Sequence, residues 1–477
     1  MLSPSPGRRA HSAFAARTLV RVARLSSLAL PLAAGALAHV ACFTSAPSGS
    51  SPMDASSPVD DATTDGGATP DGSPTGAIED SGSQGKPDAT TDSGGADGGA
   101  PQDSGMEAAT GTVLPAGHLF VFGIGGPGTA HLFSFSSGMW YGAGVDTNSL
   151  LEEQDTTKFP PGLTAGGGAT FTGNGGGAAA FLDFATSQFT AATWTLDAGW
   201  GSFKEPSDAG AALFTGQPTV TATGAIVAHE LSTGAVLVDE FVGGSWTTST
   251  TPITGDQLGV PVVAEGSTPG DALLIASTAS GYDWSYRTGG TWSTPATIAG
   301  LALPPNETSG HLPGASIVRA NAAGDLLAGF ATSVPADGGP IEAIAVAKFS
   351  AGAWSAPTVL ASDLNDAYYE EPRLAVLADG TIALAYFASS SVKVGFYDGA
   401  SWSAFQVAPG VYPSLGFQPF DIARGAAGAL LELSFIDANN NLFHVRLTDR
   451  TNWTWTSVST IDGNDRGYKW MQIIAGP

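Results

Sequence analysis

The sequence predicts an all-β fold: a seven-bladed β-propeller of four-stranded blades, closed by a C-terminal strand and preceded by a signal peptide and a disordered linker. Three observations predict it. A tryptophan that follows a turn, usually Gly-containing, recurs seven times from Trp140 to Trp453. Each recurrence follows short strand-like runs joined by turns. Turn chemistry dominates the composition, with 64 Gly and 31 Pro among 477 residues.

Residues 1–41 read as a signal peptide of the lipoprotein type. Arg8, Arg9, Arg17, Arg21 and Arg24 come before any acid, and Leu25 to Ala41 is almost wholly apolar or small. A basic stretch followed by such a run is an export signal. Broken by Pro31 and Gly35, the run is short for a membrane span, which needs about 20 residues. Arg8-Arg9 lacks the motif that follows a twin-arginine pair. The one cysteine, Cys42, closes the run. Val40-Ala41-Cys42 resembles the end of a bacterial lipobox, which implies that Cys42 is lipidated and becomes the mature N-terminus. His39 stands where that motif usually has Leu, and cleavage after Ala36-Leu37-Ala38 is the alternative. Phe43, in place of the Asp that retains lipoproteins at an inner membrane, points to the outer membrane or surface of a Gram-negative cell. A periplasmic or secreted protein is the other reading.

Residues 42–112 read as a disordered acidic tether. From 43 to 112 there are 12 acids against Lys86 alone, and no aromatic follows Phe43. Such a chain buries too little apolar surface to offset its ordering entropy. Its Asp-Gly and Asp-Ser pairs have no fixed period, which argues against calcium repeats. As a flexible coil it spans roughly 45 Å.

Residues 113–477 carry the repeat. The tryptophans are Trp140, Trp200, Trp246, Trp292, Trp354, Trp402 and Trp453, spaced 60, 46, 46, 62, 48 and 51 residues apart. The clearest unit is 372–409, four strands with Asp379-Gly380 at one hairpin turn. The first unit begins at what is the second strand elsewhere, and YKWMQIIAG near the C-terminus is a spare strand that would complete it. Closure in that way leaves no exposed sheet edge. The recurring tryptophans are expected to wedge blade against blade, each with a partner for its indole N–H. Trp194, Trp284, Trp455 and Trp470 fall off the repeat.

The string FYDGASWS at Phe396–Ser403 resembles the blades of fucose-lectin-like and sialidase-like repeat propellers. That resemblance implies a propeller. It does not carry a site across: no blade has the sialidase Asp-box, and neither an arginine triad nor the lectin set of Arg, Glu and aromatic recurs from blade to blade. A lectin of this type would have one or two sites.

Net charge is −25, which excludes a nucleic-acid partner, since phosphate binding needs clustered Lys and Arg. The propeller histidines, His118, His131, His229, His311 and His444, have no metal-ligand spacing. No nucleophile elbow precedes a helix, and the Gly-rich stretches lack the context of a phosphate loop. No cofactor is called for; calcium on paired acids is the one candidate ion. Among the blade-to-blade loops, residues 361–373 stand out, with Tyr368, Tyr369, Glu370, Glu371 and Arg373, and Tyr412 follows in the next such loop. Stacking rings with carboxylates suit a sugar, and an ordinary solvated loop is the plain alternative. Asp462–Trp470 and the acids Glu152, Glu153 and Asp155 are weaker candidates. The expected function is a surface-displayed, non-catalytic module for a glycan or an extracellular protein, monomeric and held to the membrane only by its lipid. A glycoside hydrolase or lyase using loop carboxylates, and a structural envelope lipoprotein, are the alternatives.

Overall fold

Every described element is a β-strand, and the strands form seven antiparallel sheets. This computed structural model describes residues from 119 to 476; residues 1–118, 142–162, 305–313, 363–371, 411–418, 464–467 and several shorter stretches lie outside the described residues. The chain divides into two units, Met1–Glu107 and Ala108–Pro477, and everything described belongs to the second. The signal peptide, Cys42 and the tether therefore lie outside the described residues.

Blade 1 is built from both ends of the domain. From the centre outward it runs Trp470–Ala475, Leu119–Gly125, Thr129–Ser136 and Met139–Tyr141. The closing strand is antiparallel to the first, in register from Leu119↔Ala475 to Ile124↔Trp470. Blades 2 to 7 begin at the innermost strands Leu163–Phe171, Ala212–Thr215, Val262–Glu265, Ala315–Arg319, Arg373–Val376 and Phe420–Arg424. The innermost strands adjoin in turn, through Thr219–Val220 between blades 3 and 4, and Phe420–Arg424 adjoins Trp470–Ala475, which closes the ring. The fold is a seven-bladed β-propeller.

Side chains satisfy the inner edges that the ring would otherwise leave bare. Gln472 accepts from the Ala169 amide at 2.8 Å, Ser316 from Leu374 at 3.2 Å, and Asp421 from Ile473 at 3.1 Å. Each bond joins one blade's inner strand to that of the next, so ring closure also pairs edge groups that cost free energy when buried alone.

The second strands are buried at every described position in five blades, as in Gly177–Asp183, Ala272–Thr278 and Leu431–Ile436. Neighbouring blades cover both of their faces, so even the polar residues within them, such as His229 and Glu432, are buried. The core is a set of layers between blades, each drawn from two adjacent sheets.

The tryptophans wedge these layers, each packing back on the preceding blade. Trp246 joins the layer holding Ala180 and Leu182 of blade 2, and Trp292 the one holding Ile226 and Ala228 of blade 3. Trp354 meets Trp284 of blade 4 at 6.4 Å, edge to face. Trp402 packs in the layer holding Leu327 of blade 5, and Trp140 meets His444 of blade 7 at 4.9 Å. The turn before the tryptophan has a physical reason: Gly243-Gly244 and Gly289-Gly290 have φ of 60° and 86°, and 57° and 82°, as a type I′ hairpin requires.

The residue after the tryptophan explains the Trp-Ser string. Ser293, Ser355 and Ser403 accept the amides of Tyr286, Lys348 and Phe396 at 3.1, 3.0 and 3.0 Å. The hydroxyl stands in for the ladder where the outer strand turns away, and Pro295 or Pro357 follows in two blades.

Two expectations are corrected. In blade 7 the wedge position belongs to Trp455, which pairs with Leu447, and Thr456 takes the serine's role on the Arg446 amide at 3.1 Å. Trp453 instead occupies the turn, at φ 51°, and stacks on Phe396 of blade 6. The indole nitrogens of Trp140, Trp194, Trp246, Trp292 and Trp354 have no hydrogen-bond partner among the described residues, so packing and not an indole hydrogen bond seats these rings.

Candidate functional site

Antiparallel strands divide the turns between the two ends of the ring. Turns joining first to second and third to fourth strands share one end; the blade-to-blade connections leave from the other. Tyr368, Tyr369, Glu370, Glu371 and Tyr412 belong to blade-to-blade connections and lie outside the described residues, as do His118 and His311. Arg373 is described: it opens the innermost strand of blade 6, opposite Ala385, and is buried.

The described histidines are packed between blades. His444 lies 2.9 Å from Glu432, whose other partners are the Arg446 guanidinium at 3.0 Å and the Ala426 amide at 2.8 Å. Glu432 is wholly buried, and the Arg446 guanidinium lies 5.0 Å from the Phe135 ring of blade 1. His229 is 2.8 Å from Asp239 and stacks on Phe189 of blade 2 at 4.2 Å. His131 meets Tyr468 edge-on at 5.7 Å. Each of these histidines is thus held by a carboxylate or a ring contact inside the layers.

A pocket of about 280 Å³ opens between blades 3 and 4, at the end opposite the blade-to-blade connections. Its lining mixes the acids Glu240, Glu265 and Asp271 with the apolar Ile226, Val242 and Pro269; Ile226 pairs with Glu240 across blade 3, so acidic and apolar side chains share that face. Glu240 stands near the end of the third strand of blade 3, while Glu265 and Asp271 flank the first turn of blade 4. Arg287 anchors the arrangement. It is buried, donates from Nε to the Gly270 carbonyl at 3.1 Å and from Nη2 to Glu240, and lies 5.2 Å from the Trp292 ring. The Ala222 amide donates to Glu265 at 2.8 Å, and the Tyr286 hydroxyl reaches Asp271 at 3.4 Å. Thr221 also lines the pocket, and its buried hydroxyl has no partner among the described residues.

The sequence carried one signal for this pocket. The residue paired with the wedge tryptophan is aromatic in five blades (Phe135, Trp194, Phe241, Phe349 and Tyr397), Leu447 in blade 7 and Arg287 in blade 4. An arginine in an aromatic register marks a blade that does something different. Glu265 and Asp271 had no such mark, since they read as ordinary turn residues.

No protein-family model matches the chain, and no curated protein does. Solved propellers do. A triple arginine-to-alanine mutant of AofleA from Arthrobotrys oligospora is 13% identical with a TM-score of 0.43, over 66% of this chain and 91% of that one. A mutant of the Aleuria aurantia lectin in complex with Fucalpha1-6GlcNAc is 14% identical at 0.42, over 64% and 98%. A putative 6-phosphogluconolactonase from Bacteroides fragilis is 10% identical at 0.48, over 76% and 99%. The likeness is one of fold.

Proposed function

We propose that the chain is a glycan-binding module displayed at the surface of a Gram-negative cell, lipid-anchored through Cys42 and held clear of the membrane by residues 43–112. The observation that carries the binding reading is the pocket between blades 3 and 4. It sets carboxylates among apolar side chains between two blades, which suits a ring with hydroxyl donors and a C–H face. Its volume, about 280 Å³, suits one sugar residue of a longer glycan. The stretch 361–373, whose residues 363–371 lie outside the described residues, stays a second candidate on its sequence alone.

The test is a glycan-array screen of the full-length protein, with and without calcium. It includes a Tyr368/Tyr369/Glu370 triple alanine variant and an Asp271→Asn variant. Saturable binding weakened by Asp271→Asn supports the pocket. Binding lost only in the triple variant moves the glycan to the blade-to-blade end. Failure to bind any glycan overturns the reading and leaves an extracellular protein as the ligand to seek.

A further inference from the structure

We infer that the outer edge of blade 3 pairs with the same edge of a second copy of this chain, strand to strand and antiparallel. The strand is Ser245–Thr254, ten residues long and outermost in its sheet. It is hydrogen-bonded along one side to Ala235–Val242, and no strand among the described residues pairs with its other side. The described residues of the other blades present no such edge. In blades 4, 5 and 7 the outer strand is broken in two, and in blades 1, 2 and 6 it has only two or three residues. Proline stands in the break of blades 4 and 5, at Pro295 and Pro357. Breaks, prolines and short lengths are how proteins keep a sheet edge from pairing. Blade 3 lacks them over its first seven residues, since Pro252 comes only where the register shifts near the strand's end.

The chemistry of the strand selects its own like. No charged residue stands from Gly243 to Thr254, and Ser245–Thr251 carries six hydroxyl side chains around Trp246. A charged segment laid on this edge finds only hydroxyls and an indole opposite, whereas Thr–Thr and Thr–Ser pairs across strands are favourable. Turned about a two-fold axis, Ser245–Thr251 faces itself antiparallel with no like charges opposed. The edge is also held in place beforehand. Thr247, Ser249 and Thr251 donate to the Glu240, Val238 and Val236 carbonyls at 3.5, 3.3 and 2.8 Å, which ties the strand to its sheet.

The contact is small. Seven residues from each copy bury less than about 1,200 Å², so the pair should dissociate at roughly 0.1–1 mM and the chain stays single on a sizing column. Copies held on one membrane by the proposed anchor meet at a higher effective concentration.

The experiment is sedimentation equilibrium of the full-length protein from about 10 µM to about 1 mM. A reversible equilibrium between one copy and two is expected. Added salt should strengthen it, because copies of net charge −25 repel one another while the paired edges carry no charge. Thr247→Lys/Thr250→Lys, at two exposed positions, should weaken pairing at least about tenfold with the urea midpoint unchanged. Thr247→Glu/Thr250→Glu should be as defective alone. An equimolar mixture of the lysine and glutamate chains should pair again, which misfolded variants could not do.

A single copy at the highest concentration overturns the inference. So does an open-ended oligomer, since a two-fold edge contact closes at two. Association that the lysine pair leaves unchanged, or that the mixture fails to restore, overturns it as well. The glycan reading is decided by the array and is untouched by any of these results.

Discussion

Asp325 shows how one turn of this propeller is fixed. It accepts from Lys348 at 2.6 Å, from Ser350 at 2.6 Å and from Asn321 at 2.8 Å. The Lys348 hydrogen bond, then those from Ser350 and Asn321, hold its carboxyl at about 2, below the ordinary 3.8. A carboxyl depressed in the folded state stabilises fully above the unfolded value, and that contribution is lost as pH falls through the folded one. Urea midpoints of the wild type and Asp325→Asn should therefore differ at neutral pH and converge between about pH 4 and pH 2. Parallel midpoints across that window would show that the pairing does not contribute. The preceding Gly324 reports on packing between blades. Its φ is +86°, and a Cβ there would lie 2.2 Å from the Ser267 Cα of blade 4. Gly428 has a similar φ of +88° but open space around it. Gly428→Ala should cost about 1–2 kcal/mol for the left-handed backbone alone. Gly324→Ala should cost about 1–3 kcal/mol more, because backbone must move. Equal losses in chemical denaturation would mean that the blade contact yields without cost. At this scale the sequence was only partly legible. It marked the wedge tryptophans, but choosing Trp455 over Trp453 needed the strand pairing, which places Trp453 in the turn and Trp455 in the strand that follows it.

At the scale of elements, legibility was high, and the reason is repetition. A strand order read clearly once, at 372–409, could be tested against six other units, so an ambiguous turn in one blade was settled by its neighbours. The spare strand at the C-terminus followed from the same count: the first unit lacked an innermost strand and the last had one too many. Trp470–Ala475 fills that place, with Trp470 meeting Phe181 of blade 2 at 5.9 Å and Gln472 capping the Ala169 amide. One strand therefore satisfies the edge of Leu119–Gly125 and seals two blade interfaces. A chain ending at residue 467 should expose that edge, unfold at lower denaturant and self-associate. A peptide of residues 468–477 added in trans should restore a monomer, measured by size-exclusion chromatography with light scattering. A truncated chain that stays monomeric with an unchanged midpoint would show that the ring is held by its layers without the closing strand. The broken outer strands were less legible. Ser293 and Ser355 look like plain surface serines until their hydroxyls are seen replacing ladder bonds.

At the scale of the whole molecule, the sequence directed attention to the loop at 361–373, because aromatic rings and acids in one short stretch are conspicuous. The pocket between blades 3 and 4 was not legible in that way. Its acids come from positions 240, 265 and 271, on two blades, and line one pocket only when the sheets stack. The proposed attachment through Cys42 can be tested apart from both. Cys42 is the only cysteine, so no disulfide within the chain contributes to folding, and the layers between blades carry the stability. Cys42→Ser should therefore leave the denaturation midpoint of the propeller unchanged. If Cys42 bears the lipid, the same substitution should move the protein from the detergent phase to the aqueous phase in a phase-partition assay, and from the membrane fraction to the soluble one. The two readouts divide the outcomes. A shift in partition at constant stability is what an anchor joined to an independent domain requires. A variant that stays in the detergent phase would place the attachment in the uncleaved apolar run from Leu25 to Ala41, and the tether would then begin at a membrane segment with no lipid.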